Sequence, residues 1–238
     1  GDSLGMVVLG HADTLSVTME DMIRHCAVVA RGSERPLLVC DMPFMSYQIS
    51  VEQAMQNAGR IMKETGASAV KLEGGKEVCP QIRAITAAGI PVVAHIGMTP
   101  QSVNAFGGFT VQGKGEANAR RVLEDALAVQ EAGAFAVTLE CVPPKLSALI
   151  TKKLDIITIG IGASPECDAQ VLVWQDMLGI SDFKPKFAKH FAEVGETMRE
   201  AFRAYDGEVK SGVFPASEHT FVKSDCTEEF LASLDVEY

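Results

Sequence analysis

Short, almost uninterrupted apolar runs alternate with helical stretches along this chain, and no other feature restricts its fold as much. The runs are Pro36–Asp41, Ala67–Glu73, Ile90–His95, Ala134–Glu140, Leu154–Gly160 and Gln170–Trp174. Strands that are apolar on both faces are typical of parallel sheets with helices on each side, because both faces are then buried. The alternation therefore predicts an α/β fold with a parallel sheet.

The stretches between the runs carry helix signals. We predict helices over Thr18–Arg31, Glu116–Glu131 and Pro144–Lys153. Ser50 and Gln53 predict a capping box at the start of another helix, and Gly66 predicts its end. In Lys184–Tyr205 apolar residues recur at helical spacing, and we interpret this stripe as core packing. The stripe consists of Phe187, Phe191, Val194, Met198 and Phe202.

Composition excludes several classes of protein. The 238 residues contain no linker or low-complexity stretch, which predicts a single domain. A formal charge of −10 gives no electrostatic basis for binding nucleic acid or an anionic membrane. Six widely spaced cysteines without a CxxC pair indicate reduced thiols in a cytoplasmic enzyme. We expect no transmembrane helix, since no apolar run reaches roughly 20 residues, and no signal peptide.

Polar residues mark the carboxyl ends of the predicted strands. A (β/α)8 barrel builds its active site from the ends of several strands, whereas an open doubly wound sheet concentrates its site at one switch point. Five such residues on four strands favour the barrel: Asp41, Lys71, Glu73, His95 and Glu140. Only six strands are predicted, so we expect the two others to precede Gly1 and the barrel in residues 1–238 to be N-terminally incomplete.

Strand parity places Lys71 and Glu73 on one face, and Glu140 on the corresponding face of another strand. Charges there are costly unless they are paired or bind a metal ion. Asp41, Glu73 and Glu140 against one lysine leave excess negative charge, which favours a divalent cation over a plug of ion pairs. Oxygen ligands indicate Mg²⁺. Asp2 is either a further carboxylate of this site or a plain turn former.

Other chemical signals are weaker. His95 is either structural or a neutral hydrogen-bond donor to a substrate oxygen. Gly108-x4-Gly113-Lys114 fails as a P-loop because Gly115 stands where Ser or Thr is needed. We interpret Phe106–Gly115 as a loop that could act as a mobile lid. Gly160-Ile161-Gly162 fails as a dinucleotide fingerprint because Pro165 replaces its third glycine, and we interpret Cys40 and Cys141 as packing residues.

Taken together, several motifs resemble those of the ketopantoate hydroxymethyltransferase family. They run in order: Gly1–Met6, Arg31-Gly32, Asp41–Phe44, Val70–Gly75, His95–Ser102, Phe106–Phe109 with Val111–Gly115, Leu139–Pro143 and Ile159–Ala163. The resemblance extends from residue 1 to about residue 220. It implies a (β/α)8 barrel, assembly as a decamer, and transfer of a hydroxymethyl group from 5,10-methylenetetrahydrofolate to 3-methyl-2-oxobutanoate with Mg²⁺. The implied product is 2-dehydropantoate, on the route to pantothenate and coenzyme A.

The resemblance also implies residue roles. Asp2, Asp41 and Glu73 correspond to the carboxylates of the metal site, and Glu140 to the proton acceptor. Ser3 and Lys71 correspond to substrate contacts; we add Asp2, Asp41 and His95 to that set. The Gly-Asp-Ser segment closes the second strand of the family's barrel, so a strand, a helix and most of a second strand are expected before Gly1. The tail 221–238, with Cys226 and Tyr238, has no counterpart and no assigned role.

Two alternatives stay open at this point. A barrel of the phosphoenolpyruvate mutase and isocitrate lyase type also holds Mg²⁺ and an α-keto acid at strand ends, but needs no folate. Such lyases usually carry a reactive cysteine in a mobile loop, and none stands in a convincing setting here. A non-catalytic barrel would have no need for a base such as Glu140.

Overall fold

A computed structural model describes residues 1–181, 184–221 and 225–234 of the chain. In these residues six strands form one sheet, and each strand is parallel to its neighbours. The strands are β1 Val39–Asp41, β2 Ala69–Glu73, β3 Val92–Gly97, β4 Ala136–Glu140, β5 Ile157–Ile161 and β6 Ala169–Gln170. Each of the six predicted runs overlaps a strand, but the last shares only Gln170 with β6, and its final residue, Trp174, begins a helix.

Helices connect the strands and follow them. They are α1 Leu4–Val7, α2 Met19–Gly32, α3 Val51–Thr65, α4 Cys79–Ala87, α5 Val103–Phe106, α6 Glu116–Glu131, α7 Pro144–Lys153, α8 Trp174–Met177, α9 Val194–Ser211 and α10 Glu228–Leu234. Short 3₁₀ turns lie at Lys76–Val78, Pro100–Ser102 and Ser217–His219. The predicted bounds of α6 and α7 are confirmed. No helix in the described ranges has both the length and the apolar character needed to cross a lipid bilayer.

The strands lie side by side in chain order, from β1 to β6. An open doubly wound sheet would reverse its strand order at a switch point, so this order supports the barrel-type topology over the doubly wound one. Within the described residues β1 and β6 are the two edges, and no pairing closes the sheet. The structure thus shows a parallel six-stranded α/β fold rather than a closed eight-stranded barrel.

The hydrophobic core lies between one face of the sheet and the helices. Alternate residues of β2, β3 and β4 form it with apolar side chains from α3 and α4, such as Ile61 and Ile82. The sheet contributes Val70, Leu72, Val92, Ala94, Ile96, Val137 and Leu139, all buried. Because successive side chains of a strand point to opposite faces, the remaining positions of these strands project away from this core. That parity positions the charged residues.

Helix ends follow local rules with one difference from the prediction. The Ser50 side chain accepts a hydrogen bond from the Gln53 amide at 3.1 Å, but Gln53 Oε1 is buried without a hydrogen bond among the described residues. The predicted capping box is therefore only half formed. A complete box caps α2 instead, where Thr18 and Asp21 exchange hydrogen bonds. Gly66 ends α3 in the left-handed conformation, as predicted.

The prediction for Lys184–Tyr205 was wrong in two respects. The helix begins only at Val194, because the amides of Phe191 and Val194 donate to the carbonyls of Met177 and Leu178 instead of entering a helical pattern. The apolar stripe is also not core. Its exposed fractions are 63% for Phe191, 45% for Met198 and 67% for Phe202. Helical spacing reveals an apolar stripe but not whether another element of the chain covers it.

The tail 221–238 is described in part. It contains α10, whose apolar side chains are exposed. Residues 222–224 and 235–238, which include Tyr238, lie outside the described residues.

Candidate active site

The predicted site residues meet at one edge of the sheet. Asp41 ends β1, Glu73 ends β2 and Glu140 ends β4, while Asp2 lies in the turn before α1. Strand pairing aligns Asp41 with Lys71, Glu73 with His95, and Gly97 with Glu140. The carboxyl ends of parallel strands share an edge, so residues up to 138 positions apart come together. The structure therefore brings these six predicted side chains to one place: Asp2, Asp41, Lys71, Glu73, His95 and Glu140.

A line of charged and polar side chains crosses this edge. Lys71 Nζ lies 3.2 Å from Asp41 Oδ2 and 3.2 Å from His95 Nδ1. His95 Nε2 in turn lies 3.1 Å from Glu140 Oε2, although the angle falls short of a hydrogen bond. Both His95 and Glu140 are largely shielded from solvent, with 4% and 14% of their side chains exposed. The line links the carboxylate at one end of the site to the predicted base at the other.

The protonation of His95 follows from its neighbours. Burial and the charge of Lys71 oppose the charged ring, while Glu140 and Glu73 favour it and raise the pKa of His95 to about 9. The ammonium group of Lys71 can only donate, so its contact with Nδ1 requires that nitrogen to be unprotonated. Two donors facing each other at 3.2 Å would repel, so the contact with Lys71 indicates an unprotonated Nδ1 although the neighbouring carboxylates favour the charged ring. The assigned ring is neutral and carries its proton on Nε2, toward Glu140.

Three carboxylates are buried at one end of this line, one of them its own member Asp41. Asp2, Asp41 and Glu73 are 3%, 7% and 6% exposed. Burial, Asp41 and Glu73 raise the pKa of Asp2 to about 7, although Lys71 and Gln101 act in the opposite direction. Burial also acts to raise the pKa of Asp41, but the charge of Lys71 and the Asp2 amide at 3.0 Å lower it to about 2. Neighbouring carboxyl groups with pKa values pushed apart indicate an excess of negative charge.

The donor set fits a magnesium ion. Mg²⁺ is usually held by one or two carboxylates, with water and substrate completing its coordination. In the described residues the Oδ1 atoms of Asp2 and Asp41 make no protein hydrogen bond, and two buried acids lie side by side. No cage of three or more converging His, Cys, Asp and Glu side chains exists in the same part of the chain. Asp2 and Asp41 are therefore the residues best suited to hold the ion, and a direct bond from Glu73 stays a prediction.

Ser3 borders the same space. A side-chain carbon placed on Gly1 would lie 3.3 Å from both Ser3 Oγ and Asp41 Oδ2, so the hydroxyl and the carboxylate face a common point. Ser3 begins α1 without using its hydroxyl as a cap. That hydroxyl is available to a ligand at the site.

The backbone beside Glu140 is tightly constrained. Gly97 has φ of +91°, and a Cβ atom there would collide with the carbonyl oxygen of Glu140. That carbonyl accepts a hydrogen bond from the Met98 amide at 2.8 Å. Cys141, at φ of +50°, accepts a hydrogen bond from the amide of Gln112, which attaches the segment Phe106–Gly115 to the site. Burial and Glu140 raise the pKa of the Cys141 thiol to about 11, so this cysteine is no activated nucleophile.

Sequence reasoning missed two buried residues beside the carboxylates. Gln101, 6% exposed, donates to the carboxylates of Asp2 and Glu73. Tyr47, with no exposed surface, bonds through its hydroxyl to the Gln101 side chain and to the backbone of Glu73. Gln101 stood inside one of the family motifs, but a single buried amide gives no pattern that identifies its partners. The signal that could have found it is its position just beyond the end of β3, at the same edge as Glu140.

The sequence of this chain is similar to those of known proteins. The sequence profile described as ketopantoate hydroxymethyltransferase matches residues 1–217. The 3-methyl-2-oxobutanoate hydroxymethyltransferase of Clostridium novyi (strain NT) is 63% identical over 222 residues, covering 93% of this chain and 81% of that protein. The protein of the same name from Enterococcus faecalis (strain ATCC 700802 / V583) is 62% identical over 226 residues, covering 94% and 82%.

A solved structure supports the fold. The crystal structure of a putative phosphonomutase from Burkholderia cenocepacia J2315 matches 87% of this chain and 81% of its own, with a TM-score of 0.54 and 15% sequence identity. At that identity the likeness concerns the architecture alone. The profile match over most of the chain and the two relatives above 60% identity establish membership: this chain belongs to the ketopantoate hydroxymethyltransferase family.

Proposed function

We propose that this chain transfers a hydroxymethyl group from 5,10-methylenetetrahydrofolate to 3-methyl-2-oxobutanoate and so forms 2-dehydropantoate. The names of its relatives supply the acceptor and the transferred group. The observation that carries the mechanism is the line of side chains from Asp41 through Lys71 and His95 to Glu140. This line puts an anion-binding cation and a candidate base on opposite sides of one polar space.

Two groups would bind the keto acid. Lys71 is kept protonated, because Asp41, Glu73 and Asp2 raise its pKa although burial opposes this. Its ammonium group neutralises the carboxylate of the substrate, and the Ser3 hydroxyl donates a hydrogen bond to the same end. Asp2 and Asp41 would hold Mg²⁺, with Glu73 behind them. When bound, Mg²⁺ supplies a Lewis acid that polarises the ketone and offsets the negative charge that develops there.

Glu140 acts as the general base. The hydrogen on C3 is weakly acidic because it lies beside the ketone, and the Glu140 carboxylate removes it as a proton. Water cleaves the two C–N bonds of the folate's one-carbon unit, which releases tetrahydrofolate and leaves formaldehyde. The electron pair left on C3 then forms a bond to the formaldehyde carbon, and the alkoxide that results takes up the proton held by Glu140. The Nε2–H of His95 lies 3.1 Å from Glu140 Oε2, so the positive end of this N–H dipole faces the carboxylate of the base. His95 thus contacts Glu140, and its predicted hydrogen bond to a substrate oxygen stays a prediction.

The proposal also includes the complete fold, the oligomeric state and the cellular location of the protein. A (β/α)8 barrel is supported by the strictly sequential strand order, and a decamer by family resemblance. A cytoplasmic location is supported by the thiols of Cys26, Cys40, Cys79, Cys141 and Cys167, which a reducing compartment maintains.

Proton NMR of 3-methyl-2-oxobutanoate in D₂O tests the proposal directly. With purified protein and Mg²⁺ the C3–H signal should disappear, and EDTA should prevent its loss. Addition of 5,10-methylenetetrahydrofolate should then give 2-dehydropantoate. A folded protein that gives neither exchange nor product after folate addition would refute the transferase function. Exchange without product under saturating folate would instead favour a lyase-type barrel that only enolises the acid.

A further inference from the structure

The side chain of Gln101 uses its full hydrogen-bonding capacity at the carboxylate cluster. Its Nε2 donates to Asp2 Oδ2 at 2.8 Å and to the Met42 carbonyl at 2.9 Å. Its Oε1 accepts from the Tyr47 hydroxyl at 2.7 Å and from Gln48 Nε2 at 3.1 Å. An amide side chain offers two donors and two acceptor lone pairs, so nothing is left over for other partners.

The orientation of this amide is fixed by its surroundings. A backbone carbonyl such as that of Met42 can only accept, so the Gln101 atom facing it must be the nitrogen. The same nitrogen then faces Asp2, and the oxygen faces Tyr47. Gln101 thereby delivers a donor to one chosen oxygen of Asp2, Oδ2, and leaves Oδ1 without a protein hydrogen bond among the described residues.

The backbone of Gln101 holds a second carboxylate. Its amide donates to Glu73 Oε2 at 2.9 Å, while the Tyr47 hydroxyl lies 3.0 Å from both the amide nitrogen and the carbonyl oxygen of Glu73. Asp2 and Glu73 are 71 positions apart in the sequence, yet one residue contacts both. The hydroxyl of Tyr47 holds the side chain of Gln101 in place through its hydrogen bond to Oε1.

We propose that Gln101 is a positioning residue for the divalent cation, with Tyr47 as its support. Its side chain fixes Asp2 Oδ2 and its backbone amide fixes Glu73 Oε2, which leaves Asp2 Oδ1 available for the ion beside Asp41. Removal of the Gln101 donor would leave a buried carboxylate oxygen of Asp2 unsatisfied and free to turn away from the ion. The inference rests on the proposed metal site and extends it to residues that do not touch the metal.

Isothermal titration calorimetry with MgCl₂ as the sole titrant tests this inference. Gln101→Met keeps the length of the side chain and removes its amide group, while the backbone amide that bonds Glu73 remains. Partners behind metal ligands typically contribute 10- to 100-fold to metal affinity, so we expect the Mg²⁺ Kd to rise by about 10- to 100-fold. Tyr47→Phe, which leaves Gln101 bonded to Gln48, should raise it by a smaller factor. Product formation at saturating Mg²⁺ should recover more fully than at low Mg²⁺ in both variants.

Gln130→Met is the matched control. Gln130 also binds backbone amides through its side chain, at 2.7 Å to Asp155, but it lies at the opposite end of the sheet from the carboxylates. Its loss should lower the unfolding temperature and leave the Mg²⁺ Kd unchanged, which separates positioning from general stability.

The possible results separate the positioning role of Gln101 from the proposed Mg²⁺ site on which it rests. A wild-type protein that binds no Mg²⁺ overturns both. Wild-type binding with unchanged affinity in Gln101→Met overturns the positioning role alone. Should Gln101→Met fail to fold by circular dichroism, Tyr47→Phe decides: weaker Mg²⁺ binding supports the role, and unaltered binding refutes it.

Discussion

Magnesium affinity should depend on pH between 6 and 8 because of Asp2. Burial next to Asp41 and Glu73 raises the pKa of this carboxyl group from 3.8 to about 7 in the metal-free protein. A ligand must lose its proton before it binds a metal ion, so Mg²⁺ competes with that proton. Asp41, with a pKa lowered to about 2, is ionised throughout this range and adds no slope of its own.

The size of the effect follows from the pKa of Asp2. At pH 6 about ten elevenths of the Asp2 side chains are protonated, and at pH 8 about one eleventh, so the apparent Mg²⁺ Kd should be roughly tenfold higher at pH 6. Binding should release about 0.9 proton at pH 6 and about 0.1 at pH 8. Calorimetry in pairs of buffers that differ in ionisation enthalpy measures both quantities.

Asp2→Asn provides the control, since an amide does not titrate. Its Mg²⁺ affinity should be weaker and nearly constant from pH 6 to 8, provided that Asp41 retains the ion. Wild-type affinity that is equal at pH 6 and pH 8, without proton release, would refute the reasoning. Asp2 would then already be ionised at pH 6, and the cluster would not carry the excess charge that favours a cation.

Further predictions concern the base, the metal and the fold. Glu140→Gln should keep Mg²⁺ and keto-acid binding but lose about 10²- to 10⁴-fold in kcat; equal losses in binding and turnover would contradict its role as base. Asp41→Ala should abolish the Mg²⁺-dependent binding of 3-methyl-2-oxobutanoate, and unchanged calorimetry would remove it from the metal site. Gly97→Ala, which collides with the Glu140 carbonyl, should lower the unfolding temperature more than Gly107→Ala, where φ is +68° and no atom lies within 4 Å. That control should show only the backbone cost of about 1–2 kcal/mol, and equal shifts would argue against the collision. Metal-free protein should lose stability as pH rises from 4 to 8, since a carboxyl group whose pKa is raised by folding stabilises the fold only while protonated. Mg²⁺ at pH 8 should restore the lost stability in thermal unfolding, and no restoration would contradict the linkage to Asp2.

Much of the site could be predicted because it depends on two local rules. Strand parity put Lys71 and Glu73 on one face, opposite Val70 and Leu72, and the structure buries the latter pair in the core. Because the strands are parallel, their C-terminal ends then lie at the same edge of the sheet. Both rules depend only on the position of a residue within its own strand. The sequence alone was therefore sufficient to predict that these charged residues lie at one edge of the sheet.

The features that could not be predicted depend on tertiary packing, that is, on which elements of the chain contact one another. The stripe on α9 has the spacing of a core helix, but no described element covers Met198 or Phe202. Gln101 shows the converse case. The four partners of its side chain are residues 2, 42, 47 and 48, and they converge only when β1 and β3 flank β2.

A divalent cation at the carboxylate cluster would both offset the negative charge of the folded protein and assist the proposed reaction. Asp2, Asp41, Glu73 and Glu140 place four carboxyl groups around one lysine and a neutral histidine. Without a cation the protein lowers this charge by keeping Asp2 partly protonated near pH 7, at the cost of a ligand. A divalent cation removes the need for that proton and frees Asp2 to bind. Loss of the metal should therefore weaken the fold at the same pH values at which it stops the reaction, because one buried carboxylate limits both.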